Sequence, residues 1–285
     1  MKISRMNLNL FLLPAISLLV IFRIYPIFIA VSGSFLSSGF ARPKSFIGFS
    51  NFISLFMDPT FWQSIKTTLL LNMLINPIQI VLALFMAILV NQKMKGMNLF
   101  RSIYYIPVGI SITVASIIWG ILMNPNAGII NSLLGLLHIP AQPFLTSSRE
   151  ALMSIIIIAS WKGVAYWMMF LLAGLKGISG SIYEASKIDG CSTWDSIIKI
   201  TIPLLKRTLA FVIVADTVAN ILMFAPMYLL TNGGPEMSTN VLMLEAYRSA
   251  FQYVDMGRAY SLTTVLLVLL FMIVGIQMKL MKADY

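Results

Sequence analysis

The chain has 285 residues, of which 59% are hydrophobic and only 11% charged, against roughly 45–50% apolar and about 25% charged in an ordinary globular domain. So little polar surface cannot cover this much apolar core in water, which excludes a soluble fold and a disordered tail protein alike. The formal net charge of +10 comes from 20 basic and 10 acidic residues with no long basic run, so no nucleic-acid partner is expected. In a membrane protein such an excess belongs to cytoplasmic loops beside anionic lipid. Cys191 is the one cysteine, which removes a disulfide framework and a cysteine-rich metal site.

A transmembrane helix needs about 20 mainly apolar residues to cross roughly 30 Å of hydrocarbon. Six stretches meet that length, at approximately 9–33, 68–90, 103–123, 152–174, 208–230 and 260–279. The first is too long for a signal peptide and lacks a small-x-small cleavage site, so it is expected to be retained. Pro14 and Pro26 are its expected kinks, and Arg23 lies inside it, within snorkelling reach of the outer headgroups.

With the N terminus inside, the inner segments carry Lys2, Arg5, Lys93, Lys95, Arg101, Lys176, Lys187, Lys199, Lys206, Arg207, Lys279 and Lys282. The outer segments carry Arg42, Lys44, Lys66, Arg149, Arg248 and Arg258. That bias predicts both termini in the cytoplasm. The whole of 1–285 reads as one all-α membrane domain.

The outer segment 34–67 contains Phe46, Phe49, Phe52, Phe56, Phe61 and Trp62, spaced aromatics that predict an interfacial helix. The outer loop 124–151 has the turn composition of Pro125, Gly128, Pro140 and Pro143, and the inner connection 91–101 is too short for a domain. The inner loop 175–207 is far longer than a hairpin needs.

Catalytic signatures are missing. Gly174, Gly177 and Gly180 lack the lysine of a phosphate loop. His138 is the one histidine. The five-residue spacing of Glu184 and Asp189 puts them on different sides of a helix. No catalytic residue, metal or cofactor is expected in this chain.

Within the inner loop, Gly190 suits the left-handed turn that ends a short helix. Ser192 or Thr193 suits the N-cap of a second helix running toward Pro203. Two short helices meeting at a glycine make a knob built to dock. Here Glu184, Ala185, Asp189, Gly190, Ile200 and Pro203 stand in the register of a cytoplasmic signature, and the sequence resembles the permease subunits of binding-protein-dependent ABC importers. The departures are Ser186, Cys191, Ile197 and Arg207, where the family usually carries alanine, alanine, phenylalanine and proline.

Further stretches are similar to the carbohydrate-uptake branch of that family. They are Phe46 to Phe52 followed by Asp58 and Phe61-Trp62, then Trp161-Lys162 with Ala173-Gly174-Leu175, and Leu230 to Pro235 with Ser238-Thr239 and Tyr247 to Phe251. The resemblance implies a type I ABC importer permease fold in a bacterial plasma membrane. It implies a second homologous permease, two cytoplasmic ATPase subunits that hold ATP and Mg, an extracytoplasmic solute-binding protein and a sugar substrate. Glu184, Ala185, Ser186, Asp189, Gly190 and Pro203 would then couple the spans to the ATPases, and Asn232, Gly233, Gly234 and Pro235 would meet the binding protein.

Charged groups inside spans cost roughly 2.5–3.5 kcal/mol each on insertion scales. At 1.5 Å per residue, Lys162 lies roughly 15 Å below the outer boundary and Asp216 roughly 12 Å above the inner one. Their depths therefore match, and either they pair or Lys162 lines the translocation path. Asn72, Asn76, Gln79 and Asn220 are candidates for that path or for hydrogen bonds between helices. Tyr166, Trp167, Phe224 and Tyr228 would supply either sugar-stacking faces or membrane-belt anchors. The rival readings are a permease for a phosphorylated polyol or a peptide, and an ATP-independent secondary transporter with no use for the knob.

Overall fold

The structure, a computed structural model, describes residues 5–37, 45–92 and 94–281. Lys2, Arg42, Lys44, Lys93 and Lys282 lie outside the described residues. Among those described, the fold is helical, and the one β-type pairing is an isolated antiparallel bridge between Leu36 and Phe46. In chain order the helices are α1 (Arg5–Leu19), α2 (Tyr25–Gly33), α3 (Ser50–Phe56), α4 (Pro59–Val90), α5 (Met97–Gly109), α6 (Ile112–Leu122) and α7 (Ile129–Leu136). They continue with α8 (Ala151–Lys176), α9 (Gly180–Ile188), α10 (Thr193–Ser196), α11 (Ile202–Leu204), α12 (Lys206–Ile221), α13 (Leu242–Phe251) and α14 (Met256–Leu280).

Among the described residues, four helical stretches are long and apolar enough to cross a membrane: Leu12–Gly33, Pro59–Val90, Ala151–Lys176 and Met256–Leu280. The stretch 103–123, expected as one span, is the pair α5 and α6, bent by 98°. Pro107 removes an N–H from the last turn of α5, and Ser111 starts α6 by accepting the Val114 N–H at 3.2 Å. The stretch 208–230 also divides. α12 ends at Ile221, and a separate π-helical turn, Met227–Thr231, follows Pro226.

Proline accounts for two further π-helical turns, Val20–Ile24 and Ile197–Thr201. The residue just before each proline bonds five positions back, Tyr25 to the Val20 carbonyl and Ile202 to the Ile197 carbonyl. A proline ring crowds the carbonyl four residues back and offers no N–H, so the turn ahead of it widens. Pro26 thus marks a widened turn, whereas Pro14 sits within the continuous helix α1.

Two compact units form among the described residues, one within Met1–Trp62 and Glu245–Leu269, the other within Gln63–Leu244 and Leu270–Tyr285. The second holds the principal core, where Ala83 and Ala87 of α4 meet Met168 and Leu171 of α8 and Val212 of α12. A second cluster joins Leu71 and Ile75 of α4 to Ile155 and Ile156 of α8 and to Met227.

In the first unit, α3 exposes Phe56, and Phe35, Phe49 and Phe52 stack edge to face or tilted at centroid distances of 5.3–6.1 Å. Phe61, by contrast, is fully buried. Gly33 is needed for close approach, since a Cβ there would lie 2.5 Å from the Tyr260 ring.

Charge fixes the same unit. Arg258 donates to Asp58 Oδ2 at 2.5 Å and to Glu245 Oε1 at 3.3 Å, while Asp58 Oδ1 accepts the Thr60 N–H at 2.8 Å. Asp58 therefore caps α4 and anchors the first turn of α14. Burial pushes the Asp58 carboxyl up, but the Arg258 guanidinium and the Thr60 hydrogen bonds outweigh it and hold its pKa below the usual value. A lowered folded pKa gives stability that is complete above the unfolded value, about pH 4, and fades as pH falls through the folded one. Asp58→Asn should therefore cost about 1–3 kcal/mol at neutral pH. In detergent melts the gap to wild type should narrow as the pH falls below about 4. A gap of constant width would mean that the carboxylate charge does not hold this junction.

Candidate functional site

Polar side chains on four helices of the second unit join into one network. The Asn220 amide donates to Asn76 Oδ1 at 2.8 Å, to Gln79 Oε1 at 3.2 Å and to Asp216 Oδ1 at 3.0 Å. Trp167 Nε1 donates to Asp216 Oδ1 at 2.6 Å. Thr217 Oγ1 accepts the Asn76 amide at 3.0 Å and the Gln277 amide at 2.8 Å. Helical spacing makes this possible, because Asp216 and Asn220 lie one turn apart on one face of α12, and Asn76 and Gln79 on one face of α4. Gly163 lets Gln79 approach α8, since a Cβ there would stand 2.5 Å from its Nε2.

A cleft of about 530 Å³ adjoins the network, lined by Gln79, Lys162, Tyr166, Trp167, Asp216 and Asn220 among others. Asp216 is 1% exposed, and its Oδ2 has no hydrogen-bond partner among the described residues. Tyr166 is partly open, with its ring 4.8 Å from Trp167.

Lys162 and Asp216 share this cleft but do not pair, which corrects the expectation drawn from their matching depths. Lys162 Nζ donates instead to the carbonyls of Pro107, Val108 and Ile110 at 3.3, 2.9 and 2.5 Å. The bend between α5 and α6 supplies those carbonyls, because the last ones of a helix lack intrahelical donors. A straight span over 103–123 would have hidden them.

The other intramembrane candidates separate. Among the described residues, Asn72 donates only to the Thr68 carbonyl of its own helix, at 2.9 Å, and its Oδ1 has no hydrogen-bond partner. Phe224 and Tyr228 pack on the second hydrophobic cluster and do not line the cleft. Sequence reasoning missed Thr217 and Gln277. The available signal was an amide inside the apolar run 260–279.

Between α8 and α12 runs the inner loop. Ser179 caps α9, and the helix closes with a Schellman arrangement. In it the Cys191 N–H reaches the Ser186 carbonyl at 2.9 Å and the Gly190 N–H reaches the Lys187 carbonyl at 3.1 Å. Gly190 takes φ +77°, the left-handed conformation this closure requires. Ser192 caps α10 by accepting the Asp195 N–H at 3.1 Å. Tyr183 ties the two halves through Thr201, hydroxyl to hydroxyl at 3.1 Å.

Glu184, Ala185, Asp189, Gly190 and Pro203 are exposed, whereas Ser186 is buried with its hydroxyl on the Tyr183 carbonyl. Ile188 and Trp194 are exposed too, at 87% and 73%, so this tip presents both acid groups and large apolar side chains.

The segment Asn232–Pro235 forms a tight loop after the π-helical turn. Asn232 and Gly233 take φ +45° and +77°, and Gly234–Pro235 is a cis bond. Thr239 braces it, donating to the Gly234 carbonyl at 2.9 Å. Asn232 is exposed and Gly233 buried.

The network generates a stability test. Asn220→Leu strands two acceptors, Asn76 Oδ1 and Gln79 Oε1, while Asp216 Oδ1 keeps the Trp167 donor. Each stranded group is a loss of roughly 1–3 kcal/mol when buried without a partner. Asn72→Leu removes only a bond within one helix. Thermal melts in one detergent should show Asn220→Leu several degrees below Asn72→Leu, and equal losses would mean that the network holds no helices together.

Residues 79–281 match the family described as the binding-protein-dependent transport system inner membrane component. The chain is 32% identical over 278 residues to a probable ABC transporter permease protein of Bacillus subtilis, covering 96% of this chain and 95% of that one. It is 34% identical to the lactose transport system permease protein LacF of Rhizobium radiobacter, over 86% and 83% of the two chains. It is 30% identical to the trehalose/maltose transport system permease protein MalF of Thermococcus litoralis, over 96% and 94%. Its fold matches a chain in the crystal structure of a bacterial alginate ABC transporter in complex with alginate pentasaccharide-bound periplasmic protein. The TM-score is 0.84 at 24% identity, over 98% of this chain and 96% of that one.

Proposed function

We propose, since the chain belongs to the family of binding-protein-dependent transport system inner membrane components, that it is a permease subunit of an ATP-driven importer for a sugar or oligosaccharide. ATP and Mg act in two cytoplasmic ATPase subunits, a second homologous permease completes the path, and an extracytoplasmic solute-binding protein delivers the solute. The chain works in a bacterial plasma membrane with both termini in the cytoplasm. Its six crossings are α1 with α2, α4, the bent pair α5 and α6, α8, α12 with the turn after it, and α14.

One observation carries this reading. The exposed inner loop leads at one end into α8, which bears Tyr166 and Trp167, and at the other into α12, which bears Asp216 and Asn220. These are cleft residues from two of the helices that line it. A pull on the knob thus moves both walls together. Glu184 and Asp189 offer carboxylates to basic groups of an ATPase, Ile188 and Trp194 offer apolar area, and Asn232 to Pro235 present the outer loop to the binding protein.

In the cleft, the Tyr166 ring gives a sugar a stacking face and Asp216 Oδ2 gives a hydroxyl an acceptor. The sugar class draws support from relatives named for lactose and for trehalose/maltose.

Purification of the tagged chain in mild detergent should bring down an ATPase subunit and a second permease. Recovery of a lone chain that transports sugar in liposomes without ATP would defeat the proposal. Gly190→Val tests the knob itself, because a β-branched residue in left-handed backbone costs about 1–2 kcal/mol. Uptake should fall about fivefold to thirtyfold, given roughly 1.4 kcal/mol per decade, while the inserted amount stays constant on a membrane blot. Unchanged uptake would remove the coupling role.

A further inference from the structure

We propose that the break between α5 and α6 is a site for a monovalent cation, and that Lys162 is the cation the chain has built in to fill it. Three backbone carbonyls converge on Lys162 Nζ: those of Pro107, Val108 and Ile110, at 3.3, 2.9 and 2.5 Å. They converge because α5 stops at Gly109. The carbonyls ending a helix lack intrahelical donors and carry the negative end of its dipole. Ile110 is extended, with φ −87° and ψ 134°, so its carbonyl leaves the helical direction and joins the others from a different side.

Carbonyls at the ends of interrupted membrane helices are the groups that hold Na⁺ in ion-coupled carriers. Here α8 supplies the charge from its own side chain. An ammonium has three donors and no acceptor, and the three carbonyls use all three. The neighbouring carboxylate makes no ion pair with Lys162: Asp216 engages Trp167 and Asn220 through Oδ1, and the ammonium goes to the three carbonyls. Lys162 therefore pins the broken segment to α8 and takes no part in holding solute. This assignment is independent of which solute is carried.

Chemical rescue reads the site directly in the purified full-length chain. Lys162→Ala deletes three carbons and the ammonium beyond Cβ, a gap with the composition of n-propylammonium. The variant should melt several degrees below wild type, because three carbonyls at the break lose their donor. n-Propylammonium chloride should restore much of that loss. Tetramethylammonium chloride at equal ionic strength has no N–H donor and should not.

Lys162→Met fills the same space with an apolar stem, so it should melt low and gain from neither salt. If Lys162→Ala resists purification, its yield from membranes extracted with and without n-propylammonium gives the same readout. A wild-type melting temperature in both variants would overturn the site. So would no gain from the amine, or an equal gain from tetramethylammonium.

Discussion

Hydrocarbon supplies no hydrogen bonds, so every donor and acceptor placed in a bilayer core must find its partner inside the protein. That constraint organises this chain. Where α5 stops short, Lys162 meets its carbonyls. Where Pro26 and Pro203 remove an N–H, the preceding turn widens so that Tyr25 and Ile202 bond five residues back. Where amides enter apolar helices, Asn220 gathers Asn76, Gln79 and Asp216 into one set. Each irregularity comes with its own compensation, and each compensation ties one segment to another. Polar pairing of this kind matters more here than in water, since apolar side chains gain little by leaving lipid for one another.

Asp216 Oδ2 departs from the rule, as it is buried and unpartnered beside a cleft. Non-regular backbone at membrane depth is tolerated where it lines a cavity. The break at 109–111 sits with Val108 and Ile112 on the wall of that same cleft. The irregular backbone and the unsatisfied carboxylate thus coincide in one place. The two ends of the loop 177–205 continue into α8 and α12, which both line that cleft.

Much of this was legible in the sequence wherever the physics is local. Long apolar runs gave α4, α8 and α14, since length and apolarity are properties of the segment alone. Gly190 and Ser192 announced the turn and cap of the inner loop, because a left-handed residue and an N-cap act within a few positions. The broken segment at 109–111 was not legible: its apolar run is unbroken, and the fold tolerates the bend only because Lys162, over 50 residues away, satisfies it. The depth estimate put Lys162 and Asp216 at one level and left open whether they pair or Lys162 lines the path. They share a cleft without pairing, because the ammonium goes to the carbonyls of Pro107, Val108 and Ile110, which a count of charges leaves out. Gln277 and Thr217 meet across 60 positions, a distance over which periodicity says nothing.

Arg101 shows how location changes the value of the same chemistry. Its guanidinium donates to the Val90 carbonyl, with Nε at 2.9 Å and Nη2 closer, and so closes the C terminus of α4. Lys162 does the same for α5. Both obey the preference of cations for helix C termini, worth about 0.3–1 kcal/mol at an exposed end. Arg101 is half-buried near the start of α5, beside the exposed Met94, Lys95 and Leu99, where water can take over a carbonyl that loses its partner. Lys162 closes a terminus on the wall of an apolar cleft between helices, where loss of a partner carries the full desolvation penalty of about 1–3 kcal/mol per group or more. One cation trims the end of a helix. The other decides whether an interrupted helix can exist where it does.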